Sequence, residues 1–87
     1  MNYFYYRIDT IFEIGYKDKY DKMLTETVSA HHMVSDQCYN EPDFKKAVYS
    51  YGVDHAFAIA KVQNYDVTYV RIVSQTTRLE SLKDTEV

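Results

Sequence analysis

The first part of the chain alternates between two kinds of side chain at successive positions. From Phe4 to Ile14 the even-numbered positions are mostly apolar, whereas the odd-numbered positions are mostly polar or tyrosine. The even set consists of Phe4, Tyr6, Ile8, Thr10, Phe12 and Ile14. Because residues two apart share one face of a strand, this pattern predicts a β-strand with its even positions toward the core. Its length, about twice the mean for a strand, predicts a bulge or bend near Asp9–Thr10, and Gly15 would end it.

The next apolar positions recur at intervals of three and four residues, as they do along one side of a helix. They are Tyr20, Met23, Leu24, Thr27, Val28, His31 and Val34. Asp18 stands before them and can accept hydrogen bonds from the free N–H groups of a helix start. The spacing therefore predicts a first helix that begins after Asp18 and fades near Ser35.

A second helix start is indicated by Asn40, Glu41 and Pro42. Proline is tolerated in a first helical turn, where its missing N–H has no partner to lose, and an acidic residue there favours the positive end of the helix. The apolar stripe of this helix is Phe44, Ala47, Val48 and Tyr51. Gly52 would end the helix, since glycine readily adopts the left-handed conformation of a C-cap.

The last third of the chain contains two alternating runs, residues 55–62 and 67–73, separated by Gln63, Asn64, Tyr65 and Asp66. Two such runs around an Asn/Asp-containing turn predict a β-hairpin. The alanines of the first run, Ala56, Ala58 and Ala60, also suit a helix, which leaves that alternative open. From Thr76 to Val87 the sequence is polar and aperiodic, which predicts a C-terminal tail without regular structure.

The resulting order is β-α-α-β-β. The fold that needs the fewest elements is an α+β, two-layer domain: a three-stranded antiparallel or mixed sheet with both helices on one face. The domain would span residues 1–75, followed by the polar tail of residues 76–87. With 87 residues the chain has the length of one domain with one hydrophobic core.

Composition narrows the class of protein and its surroundings. Cys38 is the single cysteine, so an intramolecular disulfide is excluded and a reducing compartment suits the chain. No apolar run reaches the ~20 residues needed to cross a bilayer, and the first residues do not resemble a signal peptide. We therefore expect a cytoplasmic protein without a membrane segment. A net charge of −3 disfavours sequence-independent binding to a phosphate backbone.

Few residues are candidates for chemistry. His31, His32 and Cys38 are residue types that bind zinc, but adjacent histidines on a helix point ~100° apart and a complete site needs further ligands. A hydrogen-bonded core histidine and a buried, inert cysteine are the simpler interpretation. Asp54 and His55 could do acid/base chemistry, but the pair is as readily a turn followed by the start of a strand. Two glycines cannot build the usual phosphate loops. The sequence therefore predicts a non-enzymatic protein without a metal or a cofactor.

Tyrosine is the most informative residue type, with 10 of 87 positions. It combines a rigid apolar ring with a polar tip, and protein interfaces are enriched in it. In the predicted fold the sheet face away from the helices would carry Tyr3, Tyr5, Arg7, Phe57, Ile59, Lys61, Val67, Tyr69 and Arg71. An uncovered face of that composition predicts a protein-binding surface, for a second copy of the chain or for a host protein.

Covering a partner would be the whole mechanism of such a protein, as in an inhibitor, an adaptor or an antitoxin. The acidic residues Asp9, Glu13, Asp18 and Asp21 could then meet a basic patch on the target. In size and composition the chain resembles small phage or mobile-element proteins that block host enzymes. The alternative is a single-stranded nucleic-acid or small-ligand binder that uses the same face, with Arg7, Lys61 and Arg71 supplying positive charge.

Overall fold

The N-terminal strand occupies the centre of the sheet. A computed structural model describes residues 2–83, which form four elements: β1 (Asn2–Lys17), β2 (Met23–Ser35), α1 (Glu41–Gln63) and β3 (Asp66–Lys83). The strand order is β2-β1-β3, and both pairings are antiparallel. The predicted α+β class is confirmed, with one helix among the described residues in place of the two predicted.

The alternation in β1 has the predicted orientation. Ile8, Thr10, Phe12, Ile14 and Tyr16 are buried on the side of the sheet that carries α1, and Phe12 and Ile14 have no exposed surface at all. The strand continues through Gly15 to Lys17, so Gly15 does not end it. The bulge predicted near Asp9 is absent there. The pairing of β1 with β3 shifts at two other places, where β3 has one extra residue. The extra residue is Val73 opposite Ile11/Phe12 and Thr68 opposite Gly15/Tyr16.

The first predicted helix is wrong, because residues 23–35 form β2. Asp18 caps a turn rather than a helix: its carboxylate accepts hydrogen bonds from the backbone N–H groups of Tyr20 and Lys22, and Asp21 adopts a left-handed φ of 64°. Along β2 the even positions are the less exposed ones. These positions include the polar residues Glu26 and His32. A pattern based on hydrophobicity alone therefore does not show that β2 alternates with a period of two.

The second helix begins as predicted and runs much further. Asn40 is its N-cap, Pro42 lies in the first turn, and Asp43 supplies the acidic residue there. The helix does not end at Gly52 but continues to Gln63, so residues 55–62 are helical rather than the first arm of a hairpin. Val48, Gly52, Ala56 and Ala60 form the buried stripe of α1. Alanine and glycine at this spacing let the helix lie close to β1.

The end of α1 explains why residues 63–66 resemble a hairpin turn. Asn64 has a φ of 60° and its N–H donates to the carbonyl of Ala60, which is a left-handed C-cap. Tyr65 also donates its N–H to Ala60, at 2.9 Å. Asparagine tolerates this conformation both at helix ends and in turns. Asn64 therefore indicated a hairpin turn in the sequence, whereas in the structure it ends α1.

The predicted boundary at residue 75 is not a boundary in the sheet. β3 runs from Asp66 to Lys83, and its part from Ser74 onward pairs with Asn2–Ile11 of β1. This polar segment is held by backbone pairing with a distant part of the chain, which a local pattern cannot indicate. Residues 84–87 lie outside the described part of the chain. Within the described part, no helix is long and apolar enough to cross a membrane.

The contact between Gly52 and Phe12 allows a test of the helix position. A Cβ built on Gly52 would lie 2.6 Å from two atoms of the Phe12 ring, well inside contact distance. Gly52→Ala should therefore destabilise the protein by about 1–3 kcal/mol, although alanine is the better helix former. Urea denaturation measures the change. Phe12→Leu in the same chain should recover part of the loss, and a more stable Gly52→Ala variant would contradict the packing described.

Candidate functional site

The sheet face opposite α1, which we call the open face, is not covered by another element of residues 2–83. Residues directly opposite one another in the register share a face, which assigns the side chains strand by strand. β1 contributes Tyr5, Arg7, Asp9, Ile11 and Glu13; β2 contributes Thr25, Thr27, Ser29, His31 and Met33; β3 contributes Tyr69, Arg71, Ser74, Thr76, Arg78 and Glu80. The open face is thus polar at most positions, and it carries charges of both signs.

Asp9 is the centre of a charged cluster at one end of this face. Its Oδ1 lies 2.6 Å from Nδ1 of His31 and 3.3 Å from Nε of Arg7. Its Oδ2 lies 3.7 Å from Nη2 of Arg78. Arg7 and Arg78 are directly opposite in the register, so the carboxylate between them offsets the repulsion of two like charges. The hydrogen bond with His31, reinforced by Arg7, holds the pKa of Asp9 below its ordinary value.

Glu80 extends this cluster toward Tyr5. The hydroxyl of Tyr5 donates to Oε2 of Glu80 at 2.8 Å, and Nη2 of Arg78 lies 3.5 Å from Oε1 of the same carboxylate. The hydrogen bond to Glu80 raises the pKa of Tyr5, because the carboxylate stabilises the protonated phenol. We refer to Tyr5, Arg7, Asp9, His31, Arg78 and Glu80 as the Asp9 cluster.

A second cluster, formed by Glu13, Tyr69 and Arg71, lies at the other end. Oε1 of Glu13 accepts from the Tyr69 hydroxyl at 2.7 Å and lies 2.9 Å from Nη2 of Arg71. These hydrogen bonds, first that of Tyr69 and then that of Arg71, lower the pKa of Glu13. The Tyr69 ring lies over Gly15, where an added Cβ would clash with the ring. Glycine at this position therefore lets the tyrosine lie flat across the sheet. We call these three residues the Glu13 cluster.

On β1 one apolar side chain, Ile11, lies between the two clusters. It is on the central strand, and its neighbours across the sheet are Ser29 and Ser74. Because both neighbours are small, Ile11 remains 38% exposed although it lies in the middle of the sheet. The open face is therefore an apolar centre flanked by two groups of hydrogen-bonded charges.

The structure brings together four of the nine residues predicted for this surface. Tyr5, Arg7, Tyr69 and Arg71 share the open face, although the two tyrosines lie within ionic clusters rather than forming an apolar patch. The side chain of Tyr3 lies outside the described part.

The remaining predicted residues are on other surfaces. Phe57, Ile59 and Lys61 belong to α1, because residues 55–62 are helical. Phe57 and Lys61 are exposed there, and Ile59 packs against the core. Val67 also packs against the core rather than lying on the open face.

Sequence reasoning overlooked Ile11 and misjudged the acidic residues. Ile11 is the one aliphatic member of the odd-numbered set in β1, a signal that was present in the alternation. Asp9 and Glu13 were expected to face a basic partner, but both are engaged with arginines of this chain. That pairing depends on strand register, which a single sequence does not reveal.

The residues considered for chemistry are dispersed. His31 and His32 point to opposite faces of β2, as adjacent residues of a strand must, and Cys38 is exposed rather than buried. In residues 2–83 no three His, Cys, Asp or Glu side chains are grouped so that they could hold a metal ion. Nε2 of His55 lies 3.3 Å from Glu26, whose carboxylate accepts the Tyr16 hydroxyl at 2.7 Å, while Asp54 is exposed.

An open depression of ≈ 230 Å³ lies between the β1–β2 turn and the end of α1. It is lined by Asp18, Lys19, Tyr20, Gln63, Asn64 and Tyr65. Pockets for small molecules usually enclose ~300–1,000 Å³ and converge on a few buried polar groups. This depression is smaller, open and lined mainly by exposed side chains, so it does not resemble such a pocket.

Comparison of the chain with protein-family models, with curated proteins and with solved structures gave no match.

Whether the two clusters are independent can be tested by titrating the carboxyl groups and monitoring their ¹³C chemical shifts by NMR. Asp9 and Glu13 should each titrate below the ordinary pKa of their residue type, and each should depend on its own partner. Arg71→Ala should raise the pKa of Glu13 and leave that of Asp9 in place, while His31→Ala should do the reverse. A shift of both carboxyls in either variant would contradict two independent clusters.

His32, on the covered face, should link stability to pH. Its ring meets Phe44 and Tyr51 edge-on, and burial lowers its pKa. The unfolded chain then takes up this proton at a higher pH than the folded chain, so stability falls as the pH falls through the ordinary histidine value of ~6.5. His32→Phe should reduce the loss of unfolding free energy between pH 7.5 and pH 5.5 in urea titrations. The control is His31→Phe, at the adjacent position on the other face. In this variant the part of the loss of unfolding free energy that is due to His32 should remain.

Proposed function

We propose that this chain is a non-catalytic protein-binding module that acts by covering a partner's surface with the open face. The observation that carries this proposal is the arrangement around Ile11: an exposed aliphatic side chain at the centre of the face, with hydrogen-bonded charges on both sides. Protein interfaces commonly have a small apolar centre that becomes fully desolvated, surrounded by polar groups.

The rigidity of the polar surround supports recognition of a protein. Each carboxylate of the two clusters already has a tyrosine, histidine or arginine partner within the sheet. A partner would meet side chains that are fixed before binding, so less conformational entropy is lost on association. The mixture of charges favours a surface of matching mixed charge over a uniformly basic one.

The size of the face suits a modest interface. Three strands at ~4.8 Å spacing and eleven residues of β1, from Tyr5 to Gly15, give a footprint of roughly 500 Å². One partner in a standard complex buries ~800 Å² of accessible surface. The open face thus offers much of what a specific contact needs, and exposed edge residues such as Met33 could extend it.

The same geometry disfavours the nucleic-acid alternative. Arg7, Arg71 and Arg78 all lie on the open face, but each is paired with a carboxylate of this chain. Binding to phosphates requires cations that are free to replace counterions. Lys61, the further cation expected there, is on α1 instead.

The test uses a photoreactive amino acid at defined positions. Benzoylphenylalanine is placed at Ser29, beside Ile11, or at Ser50, on the exposed side of α1, and the protein is cross-linked in its natural host. We expect one defined protein adduct from position 29 that disappears when Ile11→Lys is added. Val62→Lys, a matched change at a position of α1 that is 79% exposed, should leave the adduct intact. With the identified partner purified, Ile11→Lys should weaken binding at least ~10-fold.

Three outcomes would contradict the proposal. The same adduct from position 50, or an adduct that survives Ile11→Lys, would place the binding surface elsewhere. Binding of fluorescein-labelled dT20 or rU20 with an affinity that falls steeply with salt would favour the nucleic-acid alternative. Circular dichroism must show that each variant remains folded.

A further inference from the structure

β3 forms one edge of the sheet, and its two halves differ. Both bulges, at Thr68 and Val73, lie in its first half. From Ser74 onward the pairing with β1 is continuous to Lys83. Bulges are a common means of keeping an edge strand from pairing with another chain, because they twist the edge and interrupt its ladder. The regular second half lacks that protection, so its outer backbone groups can form a new ladder.

The helix leaves this second half of β3 largely uncovered, and residues 74–79 are all exposed. α1 has 23 residues and is ~35 Å long, whereas the 18 residues of β3 extend ~60 Å. In the first half of α1 the Tyr49 hydroxyl donates to the carbonyl of Val70, which marks a part of β3 that the helix covers. Beyond it, Leu79 is 56% exposed and Phe4 is 45% exposed on the helix side of the sheet. This edge is therefore accessible to a second strand.

We propose that a second copy of this chain pairs antiparallel with β3, about a two-fold axis at Leu79. In that register the two Leu79 side chains meet on the helix side. On the open face Arg78 of each copy lies opposite Glu80 of the other, which gives two pairs of opposite charge. Thr77 and Ser81 lie opposite each other at the flanks. Cross-strand pairs of opposite charge and of aliphatic residues stabilise antiparallel sheets.

Neighbouring registers lack this complementarity. An axis at Arg78 would place two arginines opposite each other, and an axis at Glu80 would place two glutamates opposite each other. An axis at Thr77 would place Arg78 opposite Thr76 and Glu80 opposite Ser74, without a charge pair. Among these positions, Leu79 alone combines an apolar contact at the axis with opposite charges on either side of it.

The other edge of the sheet offers no comparable match. β2 pairs with β1 without interruption and has a free outer edge. Its one Asp, Glu, Lys or Arg side chain is Glu26. Self-pairing of β2 would therefore bring together no fixed opposite charges. Charge complementarity favours β3.

The assembly would be a six-stranded antiparallel sheet. Because residues opposite each other share a face, the two-fold axis is perpendicular to the sheet, both α1 helices lie on one side, and both open faces lie on the other. This pairing does not depend on the proposed function, since it uses the strand edge rather than Ile11.

A symmetric cysteine tests the register directly. Opposed residues of antiparallel strands have Cα atoms ~4.5–5.5 Å apart, within the ~4.4–6.8 Å range of disulfides. Leu79→Cys with Cys38→Ser, which removes the exposed native thiol, should give a covalent dimer on mild oxidation at least ~10-fold faster than two controls in the same background. In the Thr76→Cys control the two sulfurs would be ~20 Å apart, and the Ser29→Cys control lies on β2. Equal cross-linking of either control would overturn the proposal.

Charge reversal provides a test without covalent bonds. The wild-type chain should show a dimeric mass by light scattering as concentration rises, and Glu80→Arg should shift it to monomer by placing arginines opposite arginines. The double change Arg78→Glu with Glu80→Arg should restore the dimer. A wild-type chain that is monomeric at its highest soluble concentration, or a double variant that does not recover, would overturn the proposal. Ile11→Lys should leave the dimer intact, because the dimer uses the edge of β3. Loss of partner binding in that variant and loss of the dimer in Glu80→Arg can therefore be told apart.

Discussion

The close contact between α1 and β1 is the constraint on which the rest of the molecule depends. Gly52 lies against the ring of Phe12, and Ala56 and Ala60 continue the same small stripe. A helix with larger residues at these positions would have to lie further from the sheet. Because the helix lies low over β1, a single helix closes the core around Phe12 and Ile14.

Having one covering helix determines what the remaining surfaces can do. All apolar burial is on one side of the sheet, so the other side must be stable in contact with water. It meets that requirement with charges that satisfy one another across the strands, as around Asp9 and Glu13. Ile11 is the exception on the central strand, and exceptions to local consistency are expected at functional sites.

The sequence predicted those parts of the fold in which burial and local pattern agree. β1 is central and strictly alternating, and the start of α1 carries an asparagine cap and a proline, so both could be identified. β2 could not, because the positions that it turns toward the helix include Glu26 and His32, while its apolar residues happen to recur at helical intervals. The second half of β3 is polar and owes its structure to pairing with the N-terminus. The same holds for the open face. Tyr5 and Arg7 were predicted correctly from the alternation in β1, whereas residues 57–61 were assigned to this face because their segment was predicted as a strand instead of a helix.

The central position of the first strand has a consequence for how the chain reaches its fold. β1 pairs on one side with β2, which is nearby in sequence, and on the other with β3, whose last residues pair with its first: Asn2 lies opposite Lys83. Pairings between such distant residues form slowly, since a long loop must close before any contact rewards it. During synthesis one edge of the middle strand therefore stays unpaired until the residues up to Lys83 have left the ribosome. In the interval the β1–β2 hairpin exposes the even-numbered apolar side chains that α1 will later cover, which makes the nascent chain the state most exposed to aggregation.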